Sequence, residues 1–235
     1  MASFLSLLAL ALAPSIYLAI VIFAQDKYDK EPKKILLIAF LLGSFMVIPA
    51  AITELGFTKL IFEQFEDSML KDALYFFLCV ALVEEFCKFL VLRFHAYRLK
   101  EFNEPFDGIV YSAFVALGFA AFENIFYVFE NGLSVGFLRM FTAVPAHYFF
   151  GVIMGYYVGK AKFAKKGRYI NLIKGILYAT ILHGAYDFFA TQQKYPILVM
   201  FTLVVLFISW RISKKVIKIM KEESKFLFHF KQENQ

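Results

Sequence analysis

Acidic, basic and imidazole side chains interrupt apolar stretches of this sequence that are long enough to cross a membrane. A charged side chain near the centre of a bilayer costs roughly 2.5–3.5 kcal/mol on insertion scales, so such residues persist where they pair or perform a function. In chain order they are Glu84, Glu85, Lys88, Glu123, His147, His183 and Asp187. Carboxylates and imidazoles can activate water, transfer protons or bind a metal ion. The set therefore indicates a reactive site inside a membrane.

Helical spacing pairs four of these residues. Glu84 and Lys88 are four residues apart in the sequence, and so are His183 and Asp187. Residues at this spacing share one face of a helix. We therefore expect Lys88 to pair with Glu84, whereas Glu85 is turned about 100° from Glu84 around the same helix. We also expect the Asp187 carboxylate to orient the His183 ring or keep it protonated.

The same residues are expected to lie at similar depths in the membrane. At about 1.5 Å per residue, Glu84 falls roughly 3 Å to the cytoplasmic side of the centre of its span, and His147 and His183 fall roughly 2–3 Å to the outer side. Glu123, which Asn124 follows, falls roughly 8 Å to the outer side. Taken singly, each has a plain structural explanation, such as an ion pair, a packing hydrogen bond or a water-facing carboxylate. Their similar depth on four consecutive helices favours one site.

The elements that must position these residues are transmembrane helices. Of the 235 residues, 60% are hydrophobic and 19% are charged, whereas soluble domains carry about 45–50% apolar and about 25% charged residues. A span needs roughly 20 mostly apolar residues. The sequence predicts seven spans, at about 3–24, 35–54, 71–93, 106–129, 138–159, 171–191 and 195–212.

We expect the first span to be retained, because it has no basic leader and stays apolar throughout. The loops are too short for a second domain, so residues 1–235 are predicted to form a single all-α, polytopic transmembrane bundle.

Lysine and arginine are unevenly distributed between the predicted loops. Of 25 such residues, 20 fall in the first, third and fifth connections and in a C-terminal segment that includes the basic tail 213–235. Four, among them Arg139 and Lys194, fall on the other side, and Lys88 lies within a span. An excess of this kind marks the cytoplasmic side. It predicts an outside N-terminus and a cytoplasmic C-terminus, and it accounts for the net charge of +6 without a nucleic-acid partner.

Four ordered motifs give the chain a resemblance to the PrsW family of membrane proteases. The motifs are Glu84-Glu85-x-x-Lys88, Phe119-x-x-x-Glu123-Asn124, His147-x-x-x-Gly151 and His183-x-x-x-Asp187. The resemblance covers roughly residues 14–190. In the related CPBP/Abi group, which includes the CAAX prenyl endopeptidases, the motifs are usually EExxxR, FxxxH and HxxxN. Lys88, Glu123 and Asp187 depart from the pattern of that wider group.

The resemblance implies an intramembrane endopeptidase, multi-pass in a prokaryotic plasma membrane. Its implied substrates are membrane-spanning proteins, with first-site cleavage of regulators such as anti-sigma factors. We expect the cut near the extracytoplasmic boundary of the substrate. Most of the site lies on the outer side of the midplane, and a substrate helix unwinds most easily near its end, where its hydrogen bonds are already incomplete.

Two catalytic mechanisms fit these residues. In a metal-free mechanism, Glu84 or Glu85 takes the proton from water while Lys88 keeps the partner carboxylate ionised, since two close carboxylates do not both ionise easily. The remaining roles are oxyanion binding by His183, oriented by Asp187, and positioning of water or protonation of the leaving amine by His147 and Glu123.

The second mechanism uses a divalent metal ion, with zinc expected, to activate the water. Its ligands would come from Glu84, Glu85, Glu123, His147 and His183. We favour the metal-free mechanism because the sequence contains no HExxH zinc motif, while zinc stays open. Midplane Glu, His and Lys also mark proton-coupled transporters. The sequence has no inverted repeat of the kind that many transporters contain, so transport is the weaker alternative.

Overall fold

The computed structural model describes residues 3–192 and 195–233, which form helices with no β-strand among them. The α-helices in chain order are α1 (Phe4–Gln25), α2 (Lys33–Phe45), α3 (Val47–Leu60), α4 (Met69–Leu74), α5 (Leu82–Phe94), α6 (Asp107–Phe141), α7 (Ala143–Phe163), α8 (Arg168–Ala190) and α9 (Met200–Glu233). Short 3₁₀-helices cover Phe62–Gln64, Ala96–Arg98 and Pro196–Val199. The all-α prediction is confirmed. Lys194 and the last two residues of the predicted tail lie outside the described residues.

The helices differ from the predicted spans at two places. Span 35–54 is divided at Met46 into α2 and α3. Pro49 follows in the first turn of α3, where its missing N–H costs nothing, whereas it would interrupt a continuous helix. Residues 130–137, predicted as a connection between spans, belong to α6 and are helical on both sides of Gly132, so the connection is a kink and not a loop.

Gly132 redirects α6. Its φ of 80° lies in the left-handed region, which glycine adopts readily and other residues rarely do. The 35-residue helix is therefore two helical pieces that meet at Gly132. The second piece carries Arg139 back towards the first, and this return builds one side of the site described below.

The centre of the bundle is α6, which packs against α1, α2 and α7, while α8 and α9 pack against α7. Small residues make these contacts close. A Cβ atom on Gly155 of α7 would lie 2.7 Å from the Ile109 Cα atom of α6. Lipid provides no strong hydrophobic drive between helices, and close backbone packing through small residues supplies much of the attraction instead.

A π-helix over Tyr75–Ala81 joins α4 to α5. Phe77 of this π-helix packs on Gly184 of α8, where an added Cβ atom would lie 2.8 Å from the ring. The residue before Gly184 is His183, so this close approach brings His183 towards the acidic start of α5. Single-turn π segments often occur at functional sites.

Four helical segments of the described chain are long and apolar enough to cross a membrane. They are Phe4–Gln25, Lys33–Gln64, Asp107–Phe163 and Pro196–Phe230. The third has 57 residues and would extend about 86 Å as one helix, against about 30 Å of hydrocarbon. It reverses direction at Gly132, within α6, so that Arg139 and His147 both lie beside Glu123. The chain is therefore a helical membrane protein, and seven spans with an outside N-terminus stay predictions.

Candidate active site

The first turns of α5 bury two carboxylates and one ammonium group. Glu84, Glu85 and Lys88 are 6%, 0% and 2% exposed. The Lys88 Nζ atom lies 3.2 Å from Glu84 Oε2 and 2.7 Å from Glu85 Oε1. Lys88 therefore bridges both carboxylates, whereas the spacing argument paired it with Glu84 alone.

His183 of α8 lies between carboxylates on both sides of its ring. Its Nδ1 atom is 2.9 Å from Glu85 Oε1, and its Nε2 atom is 3.1 Å from Asp187 Oδ2. The same Nε2 atom is 3.9 Å from Glu84 Oε2. A neutral ring donates one hydrogen bond and an imidazolium donates two, so a neutral His183 can donate to Glu85 or to Asp187 but not to both.

The hydrogen-bond partners of His147 in α7 define which of its ring nitrogens carries the proton. Its Nδ1 atom lies 3.1 Å from Lys88 Nζ, and its Nε2 atom lies 2.9 Å from Glu123 Oε2. An ammonium group only donates hydrogen bonds, so Nδ1 accepts from Lys88. Nε2 then carries the proton and donates it to Glu123. The neutral ring connects α5 to α6 through α7.

Arg139 completes the surroundings of Glu123. Its Nη2 atom lies 2.9 Å from Glu123 Oε2, and its Nε atom donates to Asn124 Oδ1 at 2.8 Å. Asn124 in turn donates to the Ala11 carbonyl of α1 at 3.0 Å. The guanidinium group lies 3.8 Å from the centre of the Tyr127 ring. The sequence predicted a connection at 130–137, which contains Gly132, but Arg139 was counted there as a loop residue and not as part of the site.

The six residues Glu84, Glu85, Lys88, Glu123, His147 and His183 are called the site cluster from here on. A cavity of about 290 Å³ adjoins it, lined by Glu84, Glu123, His147, Arg139 and Asp187, and also by Glu54 of α3. Glu54 ends the predicted second span and carries no motif, so the sequence did not indicate its position in the cavity. Liquid water takes about 30 Å³ per molecule, so the cavity holds several waters or a short extended peptide segment.

The site cluster also contains a donor set of the kind that zinc prefers. One ligand atom each from Glu84, Glu85, His147 and His183 lie within 4.8 Å of one another, and all four residues are buried. The Oε2 atom of Glu85 is buried and has no hydrogen-bond partner among the described residues. Imidazole nitrogens and carboxylate oxygens are typical zinc ligands. The residues therefore fit a metal ion, with Lys88 as the competing cation.

Glu123 is not part of this donor set, although sequence analysis included it among the five potential ligands. It bonds Arg139 and the Nε2 atom of His147 instead. Asp187 has the same relation to the Nε2 atom of His183. Both rings thus direct Nδ1 towards residues of α5 and Nε2 towards a carboxylate outside the donor set, called the outer carboxylate. Metal-binding histidines commonly donate their second ring N–H to a carboxylate in this way.

Comparison with known proteins agrees with these motifs. A family described as PrsW family intramembrane metalloprotease matches residues 31–212. A protein named Protease PrsW from Geobacillus kaustophilus is 41% identical over 182 residues, which cover 77% of this chain and 78% of that protein. Those of the same name from Bacillus subtilis and Clostridioides difficile are 35% and 34% identical, over 87% and 95% of this chain and 91% and 95% of their own lengths. No solved structure gives a significant match.

Proposed function

This chain belongs to the PrsW family of intramembrane proteases, and from that premise we propose that the site cluster hydrolyses peptide bonds of membrane-spanning proteins. One observation carries the proposal: carboxylates and imidazoles from four helices converge on a cavity of about 290 Å³ inside an apolar bundle. Burying ionisable groups in a membrane costs free energy, and such groups are therefore interpreted first as functional residues.

Glu84 is the proposed general base. It lines the cavity, whereas Glu85 is held behind it by Lys88 and His183. Glu84 takes a proton from water as the water oxygen attacks the peptide carbonyl carbon. The proton then passes to the amide nitrogen as the C–N bond breaks. The products are a new carboxyl group and a new amine, so the reaction needs only water as a second substrate.

Arg139 is the proposed stabiliser of negative charge on the carbonyl oxygen, since the one N–H of the neutral His147 ring is already donated to Glu123. Arg139 lines the cavity, and donors placed where charge develops usually provide the largest catalytic effect. The role differs from the sequence hypothesis, which gave oxyanion binding to His183. Both nitrogens of His183 already face carboxylates, so we assign His183 to positioning.

We further propose that a zinc ion takes part, because the outer-carboxylate arrangement around both histidines is typical of metal ligands. His147, His183 and Glu85 would hold it, and the partnerless Oε2 atom of Glu85 is the carboxylate oxygen free to do so. Zinc held by three protein ligands lowers the pKa of a bound water to about 7. With zinc bound there, Glu84 would act in the cavity as the proton acceptor.

The cavity suggests how a substrate reaches the site. Its walls include Ala50 and Ala51 of α3 and Tyr75, Phe76 and Val80 of the π-helix. A segment unwound from a substrate helix would enter between α3 and the π-helix. Because Thr191, at the C-terminal end of α8, also lines the cavity, we retain cleavage near the extracytoplasmic boundary as our proposal. We also propose a multi-pass protein of the plasma membrane, with seven spans and a cytoplasmic C-terminus, and anti-sigma-type regulators as substrates.

The test uses purified protein in lipid bilayers with a single-span substrate that carries a different tag on each side. We expect two fragments whose masses place the cut in the outer third of the substrate span. A cut on the cytoplasmic side would overturn the proposed position but not the activity. Proton-driven solute uptake into vesicles, without any cleavage, would favour the transporter and overturn the protease proposal.

A further inference from the structure

A second cavity, separate from the site cluster, lies on the predicted cytoplasmic half of the bundle. It is a groove of about 660 Å³ between α1, α7 and α9. The volume lies within the 300–1,000 Å³ typical of small-molecule sites. None of the proposed catalytic residues lines it, and the inference below does not depend on the proposed function.

One part of the groove is apolar. Its walls there are Leu18 and Val21 of α1, Phe149 of α7, and Trp210 and Ile217 of α9. The walls are held together where the Ser213 hydroxyl donates to the Phe149 carbonyl at 3.3 Å. An occupant of this part is apolar, because little on these walls can replace the hydrogen bonds of a polar group.

The other part of the groove is cationic. Lys214, Lys218, Lys221 and Lys225 line it, and Glu222 is the acidic residue among the lining groups. Their spacing of four, three and four residues places the lysines on one face of α9. The Lys214 Nζ atom also lies 4.8 Å from the centre of the Trp210 ring, so the cationic part begins where the apolar part ends. The occupant is therefore anionic at one end and apolar at the other.

The position of the lysines along α9 identifies that occupant. Lys214 lies 14 residues after Met200, which corresponds to about 21 Å along the helix axis, and Lys225 lies at about 38 Å. The hydrocarbon core of a bilayer is about 30 Å thick. If α9 begins at the outer boundary, the four lysines bracket the inner headgroup layer. A phospholipid places its phosphate at this level and its acyl chains towards the membrane centre.

We propose that this groove binds an anionic phospholipid, with the phosphate headgroup on the four lysines of α9 and an acyl chain between α1 and α7. Lysines near an anionic membrane surface each contribute about 1 kcal/mol, or roughly a five-fold factor in binding. The lipid would connect three helices, one of which carries His147. An acidic peptide or a soluble phosphate compound would fill only the cationic part.

Trp210 provides a direct measurement, because it is the single tryptophan of the chain and it lines the groove. Brominated acyl chains quench tryptophan fluorescence on contact. The protein is placed in phosphatidylcholine bilayers that contain brominated phosphatidylglycerol or, separately, brominated phosphatidylcholine at the same mole fraction. We expect clearly stronger quenching by the anionic lipid, which measures its preference for the groove. Equal quenching by the two brominated lipids would overturn the proposal.

Matched variants distinguish lipid binding in this groove from a general attraction of anionic lipid to surface charge. The groove variant combines Lys214→Gln, Lys218→Gln and Lys221→Gln, and the control variant combines Lys165→Gln, Lys166→Gln and Lys215→Gln. Both remove three positive charges from the same predicted side of the membrane. We expect the groove variant to lose roughly tenfold or more of the anionic preference and the control to stay within about twofold. Equal losses in both, or no loss in the groove variant, would contradict a specific site.

Two further measurements keep the test decisive. Replacing the same three groove lysines by arginine preserves the charge, so the preference should persist, and this variant substitutes for the glutamine variant if the latter does not fold. Inorganic phosphate is added at matched ionic strength, with chloride as the control. If phosphate, but not chloride, removes the quenching by brominated phosphatidylglycerol, the groove is a soluble-anion site and the lipid assignment is wrong.

Discussion

The protein buries carboxylates in two places, and the loss of hydration of these carboxylates is compensated differently in each. The site cluster neutralises its glutamates with cations, namely Lys88 and Arg139, and adjoins a cavity. The second group, called the loop cluster, consists of Asp26, Glu31, Asp107 and Tyr111, all at most 3% exposed. None of these four makes an ion pair within the described residues.

The loop cluster satisfies its carboxylates with uncharged donors. Asp26 Oδ2 accepts from the Glu31 N–H at 2.9 Å, and Asp107 Oδ2 accepts from the N–H groups of Asn103 and Glu104, both at 2.8 Å. Tyr111 donates its hydroxyl to Glu31 Oε2. These bonds attach the loop between α1 and α2 to the start of α6. Burial raises the pKa of Glu31 to about 7, which is the expected result when desolvation outweighs the hydrogen bonds to a carboxylate.

The comparison teaches how to separate a reactive site from a structural one. Burial and acidity are common to both clusters. Ion pairs, imidazoles and an adjoining cavity belong to the site cluster alone of the two. If this distinction is right, isosteric substitutions should remove activity in one cluster and change only stability in the other.

The largest expected effect follows from replacing a glutamate of each cluster by glutamine. Glu84→Gln preserves the shape of the side chain and removes the proposed base, so cleavage of a membrane substrate should fall at least about 100-fold. Glu31→Gln should leave the cleavage rate within about twofold, because it lies outside the cavity and keeps its neutral form. Cleavage rates are compared at equal amounts of folded protein. Glu85→Gln should also be severely impaired, and near-normal cleavage by both Glu84→Gln and Glu85→Gln would refute the assignment.

The second prediction concerns metal content. We expect purified wild-type protein to contain about one zinc ion per chain, and His147→Gln or His183→Gln to lose zinc together with activity. Glu31→Gln serves as the control from the loop cluster and should keep its zinc. Elemental analysis provides the readout independently of activity. Full activity in metal-free wild-type protein would exclude zinc and restore the metal-free mechanism that the sequence favoured.

The sequence predicted those parts of the fold and site that depend on helix geometry alone. The all-helical membrane fold and the family were confirmed. Lys88 with Glu84, and His183 with Asp187, pair as their four-residue spacing requires, because one helix fixes both partners. Glu123 and His147 were placed at similar depth without a predicted contact, and they lie 2.9 Å apart.

What the sequence did not predict depends on helix breaks and on packing between helices. Arg139 reaches Glu123 because the chain reverses at Gly132, whose φ is positive. The predicted connection 130–137 contains this glycine, but it does not indicate which residue after it faces Glu123. Glu54 lines the cavity from α3, which follows the break in the predicted second span at Met46. Lys88 contacts His147 across 59 residues of sequence, a tertiary contact with no local signal.

A smaller effect is expected from Arg139, which the sequence did not place in the site. Arg139→Gln leaves Glu123 with His147 as its remaining side-chain partner, and changes around such supporting groups typically cost 10–100-fold. The loss should appear in kcat more than in KM if Arg139 stabilises charge that develops during the reaction. Arg211→Gln, at an exposed position of α9, is the matched control. A normal kcat for Arg139→Gln would limit Arg139 to a packing role.

The smallest expected effect is a pH dependence of stability that belongs to the loop cluster. The folded-state pKa of Glu31 is raised from 4.5 to about 7 by burial, so the folded protein binds this proton more tightly than the unfolded chain does. Its contribution to stability is then fully present below about pH 4.5 and is lost as the pH rises through about 7. Tyr111, Asp107, Asp26 and Asp29 act on Glu31, and Lys162 also interacts with it electrostatically. Other groups also titrate in this range, so the measurement is a difference between wild type and Glu31→Gln, which cannot ionise at this position.

Thermal unfolding midpoints of the wild type should fall more steeply between pH 4.5 and 7 than those of Glu31→Gln, whereas Glu63→Gln, at an exposed position before α4, should follow the wild type. Parallel curves for wild type and Glu31→Gln would mean that Glu31 is ionised in the folded protein throughout this range, and the contrast between the two clusters would then have to rest on their cations and cavity alone.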